Sequence, residues 1–157
     1  MKVTIPYTPR KQQAFIHKEL DKHRFSVLCC HRRFGKTVML INHLIKCCMM
    51  NKNHQPRFAY IAPTYSQAKK IAWDYLKFYT KGLPNTKYNE TELRCDFFNG
   101  SRITLLSSEN PDSIRGIYLD GVVCDEASQI SRELIDEVIR PAIADRKGWM
   151  SLCSTPK

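Results

Sequence analysis

No stretch of this 157-residue chain stays apolar long enough to cross a bilayer. The longest apolar run, residues 38–50, is interrupted by Asn42, His43 and Lys46, whereas a spanning helix needs about 20 apolar residues in succession. The run therefore reads as a helix buried in a protein core, and no membrane partner is expected. A secretory leader is not expected either, because Met1 runs into a polar segment at residues 7–13. Repeats and low-complexity tracts are missing. The seven cysteines are odd in number and contain no Cys-x-x-Cys pair, which argues against a disulfide framework and for a reducing compartment. Cys29, Cys124 and Cys153 sit in apolar runs with strand character, where a thiol packs as a small hydrophobe. His31 and His43 lie near cysteines, but their spacing fits no zinc ligand set. Acidic residues are in short supply: 15 Asp and Glu against 25 Lys and Arg leave a net charge of +10 and a pI near 9.4. Such a surplus favours an anionic partner, with nucleic acid the first choice.

What is present is ordinary in bulk. Hydrophobic residues make up 43% and charged residues 25% of the chain, which suits one globular domain with its own core. Residues 1–8 read as an extended lead-in. Thr8 and Pro9 read as the N-cap and first position of a helix reaching about Lys22, with Ala14, Phe15, His17 and Leu20 on its inner side. Residues 25–30 read as a strand, and 35–50 as a helix too apolar for a surface. A second strand at 58–62 is followed by a helix from Pro63-Thr64 to about Tyr79, with Ala68, Ile71, Ala72, Tyr75 and Leu76 at helical spacing. Residues 82–91 are rich in turn formers. Segments 93–98 and 102–106 predict a hairpin across Asn99-Gly100. A polar loop at 107–116, a buried strand at 121–125, a helix at 131–139 and a strand at 149–153 complete the chain. Strands alternating with helices predict an α/β fold, a mainly parallel sheet with helices on both faces and a β-hairpin insertion.

Two segments carry chemistry. Cys30-His31-Arg32-Arg33-Phe34-Gly35-Lys36-Thr37 lies between a strand and a helix and ends as a phosphate-binding loop ends, although Cys30 stands where such loops usually have their first glycine. Backbone N–H groups and the helix dipole attract phosphate there. Lys36 would bridge the β- and γ-phosphates, and the Thr37 hydroxyl would ligate Mg²⁺. Val122-Val123-Cys124-Asp125-Glu126 is an apolar strand ending in two carboxylates. One suffices to hold Mg²⁺ through water, and the other, pointing away from it, can polarise an attacking water. Arg32 and Arg33 in the loop, and Arg115 ahead of the acidic strand, are candidates to neutralise charge on the γ-phosphoryl oxygens, in cis or from a neighbouring subunit. A solvated side chain or a DNA phosphate contact is the competing account of any one arginine, and the functional account is preferred for Arg32. In the leading helix, the amide of Gln12 or Gln13 could pair with an adenine edge.

These residues, in this order, resemble the N-terminal ATPase half of a phage terminase large subunit, the motor that pumps DNA into a viral capsid. The resemblance covers nearly the whole chain. Besides the arginine-rich loop and the acidic motif, Ala59-Tyr60-Ile61-Ala62-Pro63-Thr64-Tyr65 with Gln67-Ala68-Lys69 is similar to the segment after the second strand of that family. Cys153-Ser154-Thr155-Pro156-Lys157 looks like its coupling motif. The resemblance implies a P-loop NTPase of the ASCE, RecA-like kind over residues 1–157, with ATP and Mg²⁺ as cofactors. It implies that Gly35, Lys36 and Thr37 bind phosphate and metal, that Asp125 holds the metal and that Glu126 is the catalytic carboxylate. Arg32 would be the loop arginine that reorganises when ATP binds, Arg33 would join it in binding the nucleotide, Arg115 would act as a finger from a neighbour, Thr155 would couple hydrolysis to movement, and Gln12 or Gln13 would read adenine. The implied partners are double-stranded viral DNA, a portal and procapsid, a small terminase subunit and further copies in a homo-oligomeric ring, in the host cytoplasm. Lys69, Lys70, Lys77 and Lys81 are candidate DNA contacts, though a solvated helix face explains them equally well. Beyond Glu126 the acidic residues are Glu133, Asp136, Glu137 and Asp145, on expected helices. They form no cluster suited to two-metal DNA cleavage, so no nuclease activity is expected. The chain stops directly after a strand, and the expectation is a boundary short of the natural terminus. Two further readings stay open: a helicase-like ATPase, and a fragment that binds nucleotide or DNA without hydrolysis.

Overall fold

A computed structural model describes residues 2–157. In chain order the elements are α1 (Lys11–Lys22), β1 (Phe25–Cys29), α2 (Lys36–Met50), β2 (Arg57–Ala62), α3 (65–80), β3 (Lys87–Asn89), β4 (Arg94–Asp96), β5 (Arg102–Ser107), β6 (Gly121–Cys124), α4 (132–144) and β7 (Trp149–Ser154). The strands form one sheet in the order β1-β7-β6-β2-β5-β4-β3. The first five are mutually parallel, and β4 and β3 join antiparallel at one edge. This is the expected α/β architecture, a P-loop NTPase sheet with a hairpin at its margin.

Alternation along β2 divides the core in two. Phe58, Tyr60 and Ala62 face α2 and α3, while Ala59 and Ile61 face α4. Both faces are covered, so β2 and β6 read as unbroken apolar runs and are buried. Helix α2 is largely buried, packed on the sheet and on α3, and its Lys46 pairs with Asp21 of α1 at 2.5 Å. Among the described residues, no helix is long and apolar enough to cross a membrane.

Several local expectations shift. Helix α1 starts later than Thr8-Pro9: Arg10 is its N-cap, because the Gln13 side chain accepts from the Arg10 backbone N–H at 2.9 Å and closes the first turn. Its inner side carries Gln13, Ile16 and Leu20, and Phe15 points to solvent. Helix α3 is N-capped by Thr64, as expected, but contains a π-turn at Ala68–Ala72. The extra residue in that turn rotates the apolar phase. Ala68, Ala72, Trp73, Leu76 and Thr80 are buried, and Ile71 and Tyr75 are exposed. A second π-turn at Ile135–Ile139 carries α4 through Pro141, where an unbroken α-helix would have ended. Strand β3 lies in the segment that reads as turns. The 93–106 hairpin is present, with Asp96 opposite Arg102 and Gly100 at φ 84°. Asn99 ties its tip to the Cys48 carbonyl at the end of α2. Cys29 does not pack as a small hydrophobe. Strand β1 is a sheet edge with one face open, leaving Cys29 exposed and Val27 79% exposed.

Candidate active site

The carboxyl ends of β1, β2, β6 and β7 open on one side of the sheet, the side where α/β folds place their ligands. Residues 30–35 leave β1 as a loop held by the Cys30 N–H on the Ser154 carbonyl at 3.0 Å. The loop closes through left-handed residues, Arg33 at φ 65° and Gly35 at φ 79°. The positive φ at Gly35 favours glycine, and a Cβ there would also press on the ends of the Arg10 and Gln13 side chains, 2.9 Å away. Those two side chains clasp the loop from α1. Gln13 donates to the Phe34 carbonyl at 3.1 Å and the Gly35 carbonyl at 3.3 Å, and the Arg10 guanidinium donates to the Phe34 carbonyl as well.

Lys36 and Thr37 open α2 beneath this loop. The Lys36 ammonium lies 3.1 Å from Glu126 and also donates to the Thr155 hydroxyl. Thr37 donates to Asp125 Oδ2 at 3.0 Å. Tyr60, at the end of β2, donates to the same oxygen at 2.5 Å. The Glu126 N–H donates to Asp125 Oδ1 at 2.9 Å. Burial, reinforced by the Asp125 charge, pushes the Tyr60 phenol well above its ordinary pKa, so it is a neutral donor. Glu126 itself sits in the left-handed region at φ 48°, a costly conformation for a side-chain-bearing residue. That conformation turns its carboxylate away from Asp125 and toward Lys36 and Thr155.

Together these groups line a cleft of about 420 Å³ that also receives Arg32 and Arg33 from the loop. Cations dominate one wall and the paired carboxylates the other, an arrangement suited to a polyphosphate and a divalent cation. Hard oxygen donors, the Thr37 hydroxyl and the Asp125 carboxylate, sit side by side. Among the described residues there is no cluster of three or more His, Cys, Asp or Glu that could hold a metal ion unaided. The donor set therefore fits Mg²⁺, which is commonly held by one or two protein ligands together with substrate phosphates.

The structure brings Arg32, Arg33, Lys36, Thr37, Asp125, Glu126 and Thr155 to this cleft and leaves Arg115, Gln12 and Gln13 outside it. Arg115 is exposed beside Asp112 at 3.6 Å and lines a separate depression with Glu137 and Asp145. Gln12 faces solvent on α1, while Gln13 is buried with its amide fully used on Arg10 and the loop carbonyls. Tyr60 and Arg10 were not singled out from sequence. Their contacts span 65 and 24 positions, and neither residue type signals its role locally.

The terminase large subunit of Thermus phage G20c is 28% identical over 170 residues, covering 96% of this chain and 34% of that protein. The chain thus spans about a third of the length of the curated relatives it matches. The large terminase ATPase domain of Thermus phage P74-26 superposes with a TM-score of 0.79 at 26% identity, over 98% of this chain and 67% of that one. The large terminase of a thermophilic bacteriophage, solved in complex with ATP-gamma-S, shares the fold at 14% identity and a TM-score of 0.73, over 94% of this chain and 38% of that one. The family described as terminase large subunit, T4likevirus-type, N-terminal, matches residues 31–157, and the chain belongs to that family.

Proposed function

We propose that residues 1–157 form one ATPase domain that hydrolyses ATP to drive double-stranded DNA into a procapsid. The observation that carries this reading is the convergence of Lys36 and Thr37 with Asp125 and Glu126 in one cleft at the strand ends.

Each residue has a task that follows from its position. Lys36 exchanges Glu126 for the β- and γ-phosphate oxygens, a charge-assisted contact made where the α2 dipole already favours anions. Thr37 and Asp125 would hold a divalent cation, which would supply neutralisation of charge on the phosphates. Glu126, released from Lys36, orients a water and takes its proton as that oxygen attacks the γ-phosphorus and the bond to the β-phosphate oxygen breaks. Thr155, which now bridges Lys36 and Glu126, lies where departure of the γ-phosphate is felt by β7. Arg32 and Arg33 are exposed on the loop and free to close on the phosphates. Arg115 lies exposed outside its own cleft, where it is placed to reach the cleft of a neighbouring copy in a homo-oligomeric ring. With Gln13 occupied, Gln12 is the glutamine free to meet adenine. Membership of the family supports double-stranded viral DNA, a portal and procapsid and a small terminase subunit as partners, in the host cytoplasm, as part of this proposal. No nuclease activity is part of this reading, and cleavage of plasmid DNA in Mn²⁺ by these residues would overturn that.

The test is ATP turnover against protein concentration, with Glu126→Gln as the blank. Specific activity rising with concentration is the expected result. No turnover above the blank at any concentration would overturn the assignment.

A further inference from the structure

We propose that Tyr60 is a positioning residue for the metal-holding carboxylate of Asp125, an inference that rests on the ATPase reading above. Tyr60 occupies a buried position of β2, paired in register with Val123 and 4% exposed. The residues on the same face, Phe58 and Ala62, are apolar, so packing alone asks only for a ring. The hydroxyl is a chemical addition to an otherwise apolar wall, and a buried hydroxyl needs a partner. Its recorded hydrogen bond is to Asp125 Oδ2 at 2.5 Å.

Asp125 is itself 5% exposed and is held at both oxygens. Oδ1 accepts from the Glu126 N–H, and Oδ2 accepts from Thr37 and Tyr60. These donors are not equivalent. The Glu126 N–H belongs to a backbone in a left-handed turn, and the Thr37 hydroxyl is the group assigned to the cation. As Thr37 reorients its oxygen toward a metal, Tyr60 is the donor left to hold Oδ2 in place. It comes from a different strand and has no metal role of its own. A partner that orients a ligand in this way typically contributes about 10- to 100-fold in metal affinity. Tyr60 therefore sets how strongly the cleft couples nucleotide to Mg²⁺, while contributing little to nucleotide held without metal.

The experiment compares Tyr60→Phe with the wild-type chain. Affinity for mant-ADP is measured by fluorescence in excess Mg²⁺ and in EDTA, Mn²⁺ binding to the ADP-loaded protein by electron paramagnetic resonance, and thermal midpoints in parallel. Wild-type protein is expected to bind mant-ADP more tightly with Mg²⁺. In Tyr60→Phe that increment, and Mn²⁺ affinity, should fall about tenfold, with affinity in EDTA unchanged. An unchanged increment, or equal losses with and without metal accompanied by a lower midpoint, would overturn the proposal and leave the ATPase reading standing. Absence of any Mg²⁺ increment in the wild-type protein would overturn the ATPase reading and the proposal together. If Tyr60→Phe does not fold, Tyr60→Met, which keeps an apolar filler without the hydroxyl, is put through the same titrations with the same criteria.

Discussion

The Lys36 ammonium lies 3.1 Å from Glu126 Oε1, and Thr155 donates to that same oxygen at 3.2 Å. The group assigned to phosphate and the group assigned to water thus neutralise one another across the cleft. ATP must displace this pair to bind. Glu126→Gln removes the competing charge, so it should bind ATP up to about fivefold more tightly, the scale of a partly exposed ion pair. It should also hydrolyse ATP at least about 100-fold more slowly through loss of the base. Equilibrium binding and single-turnover hydrolysis on the same preparation check both directions.

Gln13 and Gln12 are neighbours with different fates. Gln13→Ala removes the hydrogen bonds that close α1 and clasp the phosphate loop, at a cost of about 1–3 kcal/mol. It should lower the thermal midpoint and weaken ATP and GTP binding alike. Gln12→Ala should leave the midpoint unchanged and reduce the preference for ATP over GTP. Competition binding with both nucleotides separates the two cases.

Arg115 lies on an exposed surface away from its own cleft. Arg115→Ala should bind ATP as the wild type does, yet lose the rise of specific activity with protein concentration. An arginine supplied in trans can be worth about a thousandfold in turnover. Mixing Arg115→Ala with Lys36→Ala should restore part of the activity, because each supplies the half that the other lacks.

His43 is buried between His17 and Trp149, its Nδ1 3.1 Å from that of His17. Burial, with the neighbouring His17, lowers its pKa to about 4. The unfolded chain therefore binds a proton that the folded chain refuses between about pH 6.5 and 4. Stability from this site is complete above about pH 6.5 and is lost as pH falls toward 4, by about 3 kcal/mol at most. His43→Phe, which cannot take up a proton, should show a shallower fall in its thermal midpoint over the same range.

Much of this molecule was readable because its chemistry is contiguous. The loop from Cys30 to Thr37 and the strand ending in Asp125-Glu126 each sit within a few residues, between elements whose hydrophobic period names them. Turn residues at Asn99-Gly100 announced the hairpin, and Thr64 announced a helix start. Readings that assumed an unbroken period held only in part at the π-turns: Ala68, Ala72 and Leu76 of α3 are buried as expected while Ile71 and Tyr75 are exposed, and α4 runs on past Pro141. The exposed face of β1 was not readable either, since an apolar strand does not say whether it lies inside a sheet or at its edge.

Residue type and local order were enough to establish that this chain offers a phosphate loop and two carboxylates. Only the tertiary structure decided that β7 lies between β1 and β6, that Tyr60 reaches Asp125, that Gln13 is engaged by the loop and that Arg115 lies away from the cleft. Those relationships depend on which strands pair and on which side of each strand a side chain emerges. Both are settled by burial of the whole core rather than by any segment taken alone.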